Sequence, residues 1–62
     1  MTIEEAKSLV KGDYVFYNGI KYKVMNTKEH RSAQTNEIYV NIKCSRQNEI
    51  IWVDNKFVET ST

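Results

Sequence analysis

The chain has 62 residues, 40% of them hydrophobic, and a formal net charge of +1. That length supports one domain, and a domain of this size buries only about 60% of the surface its unfolded chain exposes, so stability is expected to be modest. The composition argues for a folded and against a disordered chain, and the single cysteine, Cys44, excludes an intramolecular disulfide or a cysteine-based zinc set. A small domain without staples suits a reducing cytoplasm. The start of the chain, acidic and without a long apolar run, reads as neither a signal peptide nor a membrane span.

Charge is uneven along the chain. Residues 1–19 sum to −1, residues 20–48 to +4 and residues 49–62 to −2. The middle segment, with Lys21, Lys23, Lys28, Arg31, Lys43 and Arg46, is the basic part.

In chain order, Thr2-Ile3-Glu4-Glu5 reads as a helix capping box, with Thr2 and Glu5 satisfying each other's backbone N–H. Ile3, Ala6, Leu9 and Val10 form one apolar stripe, and Lys11-Gly12 supplies a stop. A helix over 2–10 is predicted. It is too short to stand alone, so its stripe must pack on the rest of the chain.

Asn18-Gly19 is the strongest hairpin signal, because both central residues of a type I′ turn need positive φ. A two-residue turn pairs Tyr17 with Ile20, Phe16 with Lys21, Val15 with Tyr22 and Tyr14 with Lys23. Val15, Tyr17, Ile20, Tyr22 and Val24 then share a core face. Tyr14, Phe16, Lys21 and Lys23 share the opposite, outer face. Strands are expected near 13–17 and 20–26.

The polar segment Thr27–Asn36 reads as the longest loop. Glu37–Cys44 alternates as a third strand, with Ile38, Val40, Ile42 and Cys44 inward and Tyr39, Asn41 and Lys43 outward. Ser45–Asn48 is a turn and Ile50–Val53 a fourth strand. Closure by two or four residues sets Ile42 against Val53 or Ile51, and in both cases leaves Trp52 on the outer face beside Lys43 or Asn41. Asp54-Asn55-Lys56 reads as a tight turn of 3₁₀ type, Phe57-Val58-Glu59 as a short closing strand and residues 60–62 as a frayed tail.

This order resembles the SH3-like small barrels, including the KOW and Tudor-type modules. The residues that carry it are Gly12-Asp13-Tyr14-Val15, the Asn18-Gly19 turn, the Ile20/Tyr22/Val24 alternation, and Trp52-Val53-Asp54 running into Phe57-Val58. The likeness covers about residues 12–59 and implies a mainly β, five-stranded barrel preceded by a short amino-terminal helix, together one domain over 1–62. For function it implies only a class of binding and structural modules, because the superfold hosts many ligands. The 7 lysines, 6 asparagines and 6 isoleucines make the chain similar to small proteins of AT-rich bacteria or their prophages.

Two groups of residues are candidates for binding. Tyr14, Phe16, Lys21, Lys23, Lys43 and Trp52 form an aromatic and cationic outer face of the kind that holds single-stranded nucleic acid. The plainer reading, preferred from sequence, is a solvated face with the helix over Tyr14 and Phe16 and with Trp52 plugging a second small core. The basic loop with Lys28, His30 and Arg31, together with Arg46, is the second group, again with a plainer reading as solvated polar loop. His30 has no second histidine, Cys44 falls on a core position, and no carboxylate pair faces a cleft, so no catalytic residue, metal site or cofactor is expected.

The resulting expectation is a cytoplasmic, non-enzymatic binding or adaptor module, monomeric or a weak homodimer. A protein partner ranks ahead of nucleic acid, because a dedicated nucleic-acid module usually has a pI above about 9 and this chain's is ≈ 7.8. The alternatives are a nucleic-acid accessory protein using residues 20–48, and a self-assembling part pairing through an edge strand.

Overall fold

The computed structural model describes residues 1–60. A short helix, α1 (Ile3–Lys7), precedes five strands: β1 (Tyr14–Tyr17), β2 (Ile20–Arg31), β3 (Ile38–Arg46), β4 (Glu49–Asp54) and β5 (Val58–Glu59). A 3₁₀ turn, Asn55–Phe57, joins β4 to β5. Every neighbouring pair is antiparallel, in the order β4-β3-β2-β1-β5, and the sheet curls into a half-barrel.

The capping box forms as read. The Thr2 hydroxyl accepts from the Glu5 N–H at 3.1 Å, and the Glu5 carboxylate accepts from the Thr2 N–H at 2.8 Å. The helix, however, stops at Lys7 and not at Val10. Asp13 is the reason. Its carboxylate accepts from the Val10 N–H at 3.0 Å, and its own N–H donates to the Val10 carbonyl at 3.0 Å. Gly12, at φ +102°, makes the tight turn possible. That turn takes Val10 out of the apolar stripe and leaves it 63% exposed, while Ala6 is buried and Ile3 and Leu9 pack against the core.

The first hairpin has all four expected pairs, with Asn18 and Gly19 both at positive φ. Val15, Tyr22 and Val24 are buried as their face requires, Tyr17 is half-buried, and Ile20 at the turn stays exposed. The second hairpin closes with two residues, Gln47-Asn48, and sets Ile42 opposite Val53 and Lys43 opposite Trp52. The core is Ala6, Val15, Tyr22, Val24, Val40, Ile42, Cys44, Val53 and Val58. One buried polar side chain ties this core to the crossover. Asn55 accepts from the Val40 N–H and donates to the Met1 carbonyl, each at 2.9 Å.

Two expectations need correction. The predicted loop Thr27–Asn36 is half strand: β2 runs on to Arg31, pairing with β3 as far as Arg31↔Ile38, and the loop is only Ser32–Glu37. Thr27 and Glu29 lie opposite the core residues Ile42 and Val40 but are themselves only half-buried and exposed, respectively. This part of the strand is therefore polar on both faces and lacks the alternation that marks a half-buried strand. Phe57 belongs to the 3₁₀ turn, not to the last strand, and is 67% exposed. Of the tail expected to fray, Thr60 has no regular structure, and Ser61 and Thr62 lie outside the described residues.

Candidate functional site

The outer face of the sheet is decided by one residue. The β2–β3 pairing is regular through Val24↔Cys44 and resumes at Asn26↔Lys43, so Met25 is a β-bulge. Side chains alternate along a strand, and one extra residue therefore exchanges the two faces beyond it. Without the bulge, Thr27, Glu29 and Arg31 would follow Lys21 and Lys23 on the outside. With it, Asn26, Lys28 and His30 do, aligned with Lys43, Asn41 and Tyr39 of β3.

The exchange is visible on both sides. Inside, Glu29 meets Lys7 of α1 at 2.8 Å. This pairing raises the Lys7 pKa, chiefly through the hydrogen bond to Glu29. Outside, His30 stacks on Tyr39, with ring centroids 5.4 Å apart and planes 20° from parallel.

The outer face thus carries Lys21, Lys23, Lys28 and Lys43 with Tyr14, Phe16, Tyr39 and Trp52. Lys21, Lys23 and Lys43 each lie opposite a ring (Phe16, Tyr14 and Trp52), while Lys28 pairs with Asn41 and Tyr39 with His30. The Lys21 ammonium lies 4.4 Å from the centre of the Tyr14 ring, and that of Lys43 lies 6.0 Å from the Trp52 ring. Among the described residues, the acids on this face are Asp54 and Glu59, both near its margins. Asp54 is further engaged in capping the 3₁₀ turn, accepting from the Lys56 N–H at 3.0 Å.

Two packing expectations for this face, a helix over Tyr14 and Phe16 and Trp52 as the plug of a second core, do not hold. The helix packs on the concave side, burying Ala6 in the core, and does not cover the outer face. Tyr14 and Trp52 are each 50% exposed, so Trp52 plugs no second core; Phe16 is half-buried between Lys21 of β2 and Glu59 of β5. The physical reason is the side on which the helix packs: Ile3, Ala6 and Leu9 close the concave core, and Tyr14 and Trp52 face the other way.

The second candidate group is not brought together. Lys28 and His30 are strand residues of the outer face. Arg31 is on the concave side at the far end of β2, where its guanidinium donates to Asn36 at 3.4 Å. Arg46 sits at the opposite end of β3, eight residues from the partner of Arg31, about 26 Å away along the strand. Sequence reasoning placed Lys28 and His30 in a loop and left Tyr39 out of the site. The signal for all three was the clean β3 alternation, which needs a partner strand as long as itself.

Other chemistry is sparse. Cys44 is buried, its thiol donates to the Ile42 carbonyl at 3.7 Å, and burial raises its pKa. Among the described residues no three His, Cys, Asp or Glu side chains gather to hold a metal. A polar groove of about 280 Å³ lies between the β2–β3 loop and the start of the 3₁₀ turn, lined by Ser32, Glu37, Tyr39, Asp54 and Lys56 among others. Among the described residues no helix is long and apolar enough to cross a membrane.

Comparison with protein-family models, curated proteins and solved structures finds no match to this chain.

Proposed function

We propose that the protein is a small non-enzymatic binding module of the SH3-like type, working in the cytoplasm, and that its outer sheet face takes single-stranded nucleic acid. The observation that carries this reading is the gathering of four lysines and four aromatic rings on one side of the sheet, three of the lysines paired with a ring across the strands. Lysines neutralise phosphates and release counterions, and exposed rings offer stacking to any base. A near-neutral net charge, which favours a protein partner when only the sequence is considered, loses its weight when charge is sorted by face. Glu29 and Glu49 lie with the concave set, so the cations of the outer side are locally in excess.

The test is titration of a labelled single-stranded oligonucleotide at low and moderate salt. A salt-dependent complex is expected, and replacing Lys21, Lys23 and Lys43 with alanine should flatten the salt slope by about 0.7 per lysine removed. Trp52→Ala should weaken binding by the worth of one stacking contact, roughly 1–3 kcal/mol. No complex at low salt from folded protein would overturn the reading. A protein partner that Trp52→Ala releases would then replace it.

A further inference from the structure

We propose that β4 pairs with β4 of a second copy of the chain, antiparallel, across a two-fold axis at Ile51. β4 is an outer strand of the sheet, with β3 on one side only. Its ladder direction follows from the turn. Two-residue closure makes Arg46 and Glu49 a hydrogen-bonded pair, so Glu49, Ile51 and Val53 turn their backbone groups toward β3. Ile50, Trp52 and Asp54 turn theirs to the open edge. The edge is lightly guarded: Glu49–Asp54 contains no lysine, proline or bulge, and its two carboxylates stand at its ends.

Self-complementarity selects the second copy and the register. A two-fold axis that keeps both outer faces on one side must pass through a residue of the strand. With Ile51 on the axis, Ile50 lies opposite the partner's Trp52, Glu49 opposite the partner's Val53 and Asp54 opposite the partner's Asn48. On the outer face apolar meets apolar, twice by symmetry; on the concave face Glu49 meets Val53, and no like charges face each other. With Trp52 on the axis, Ile50 would lie opposite the partner's Asp54, and the outer face would lose both of its Ile50–Trp52 pairs. The first register also accounts for two large apolar side chains left in water, Ile50 at 56% and Trp52 at 50% exposure. It would join the outer faces of two copies into one continuous surface.

The experiment is sedimentation velocity of the nucleic-acid-free protein from micromolar to millimolar concentration, so its result is independent of whether the outer face binds a ligand. Wild type should sediment faster as concentration rises. Ile50→Asp, at an exposed position where folding tolerates it, should stay monomeric. A wild type that is monomeric throughout, or an Ile50→Asp protein that still dimerises, overturns the proposal. The register is read by Ile51→Cys in a Cys44→Ala background, needed because Cys44 faces Ile51 across β3 and β4. Residues paired outside the hydrogen bonds have Cα atoms about 4.5 Å apart, within disulfide reach. Oxidation should link the copies covalently, and a dimer that fails to cross-link overturns the Ile51 axis.

Discussion

Lys7 of the helix and Glu29 of β2 meet at 2.8 Å on the concave side of the sheet, although Glu29 is an even number of residues from the outward-facing Lys21 and Lys23. Only the extra residue at Met25 permits this. The ion pair is thus a marker of the bulge, and the bulge is what puts Lys28 on the other face and takes Glu29 off it.

The pair should nevertheless add little to stability. Both side chains are about half exposed, and exposed ion pairs are screened and entropically costly. A double-mutant cycle over Lys7→Ala and Glu29→Ala should give a coupling close to the limit of measurement at low salt and none at high salt. A large coupling that survives high salt would show that the pair is more sequestered than its exposure indicates.

Asn55 should matter far more. It is the one buried polar residue of the described core, and its amide serves the Val40 N–H and the Met1 carbonyl together. Asn55→Ala strands the Val40 N–H inside the protein, at a cost of about 1–3 kcal/mol. Urea denaturation should show this as a lower midpoint, and hydrogen exchange should show faster exchange at Val40. Asn55→Asp keeps the acceptor but loses the donor and buries a charge, so it should not rescue the loss at neutral pH.

Tyr22 links stability to alkaline pH. Its hydroxyl donates to the Glu49 carboxylate at 3.1 Å, and burial first, then that bond, raises its pKa. A raised pKa favours the protonated form in the folded state. Its contribution is therefore complete below the ordinary tyrosine range and is lost as pH rises through the folded-state value. Wild-type stability should fall over that alkaline window. Tyr22→Phe should be less stable at neutral pH and should show a shallower alkaline decline, both measurable as denaturation midpoints across pH.

Gly12 is required by backbone shape alone. Its φ is +102°, and nothing lies within 4 Å of where a Cβ would stand. Gly12→Ala should cost about 1–2 kcal/mol from the disfavoured conformation, with no repacking of the core. Thermal unfolding gives the size of the loss, and an unchanged fluorescence of Trp52 checks that the sheet is undisturbed.

The short-range features of this protein were legible in its sequence because they are set by groups a few residues apart. Thr2 and Glu5 cap each other within one turn, and Asn18-Gly19 dictates four strand pairs through the φ angles those two residues tolerate. The Ile42/Val53 and Lys43/Trp52 pairings follow from the same arithmetic once the turn is known to hold two residues. What tertiary structure alone decided is the side to which the polar residues turn. Thr27–Arg31 has no apolar rhythm of its own and becomes a strand because β3 supplies its backbone partners. Met25 bulges within that pairing and exchanges the faces beyond it. The helix ends where Asp13 captures Val10, which leaves Val10 in solvent, and its stripe packs on the concave core, which leaves Tyr14 and Trp52 uncovered. Each of these outcomes depends on a partner distant in sequence or on competition between two local hydrogen-bonding patterns. Residue spacing alone contains neither, and the aromatic and basic face is the product of both.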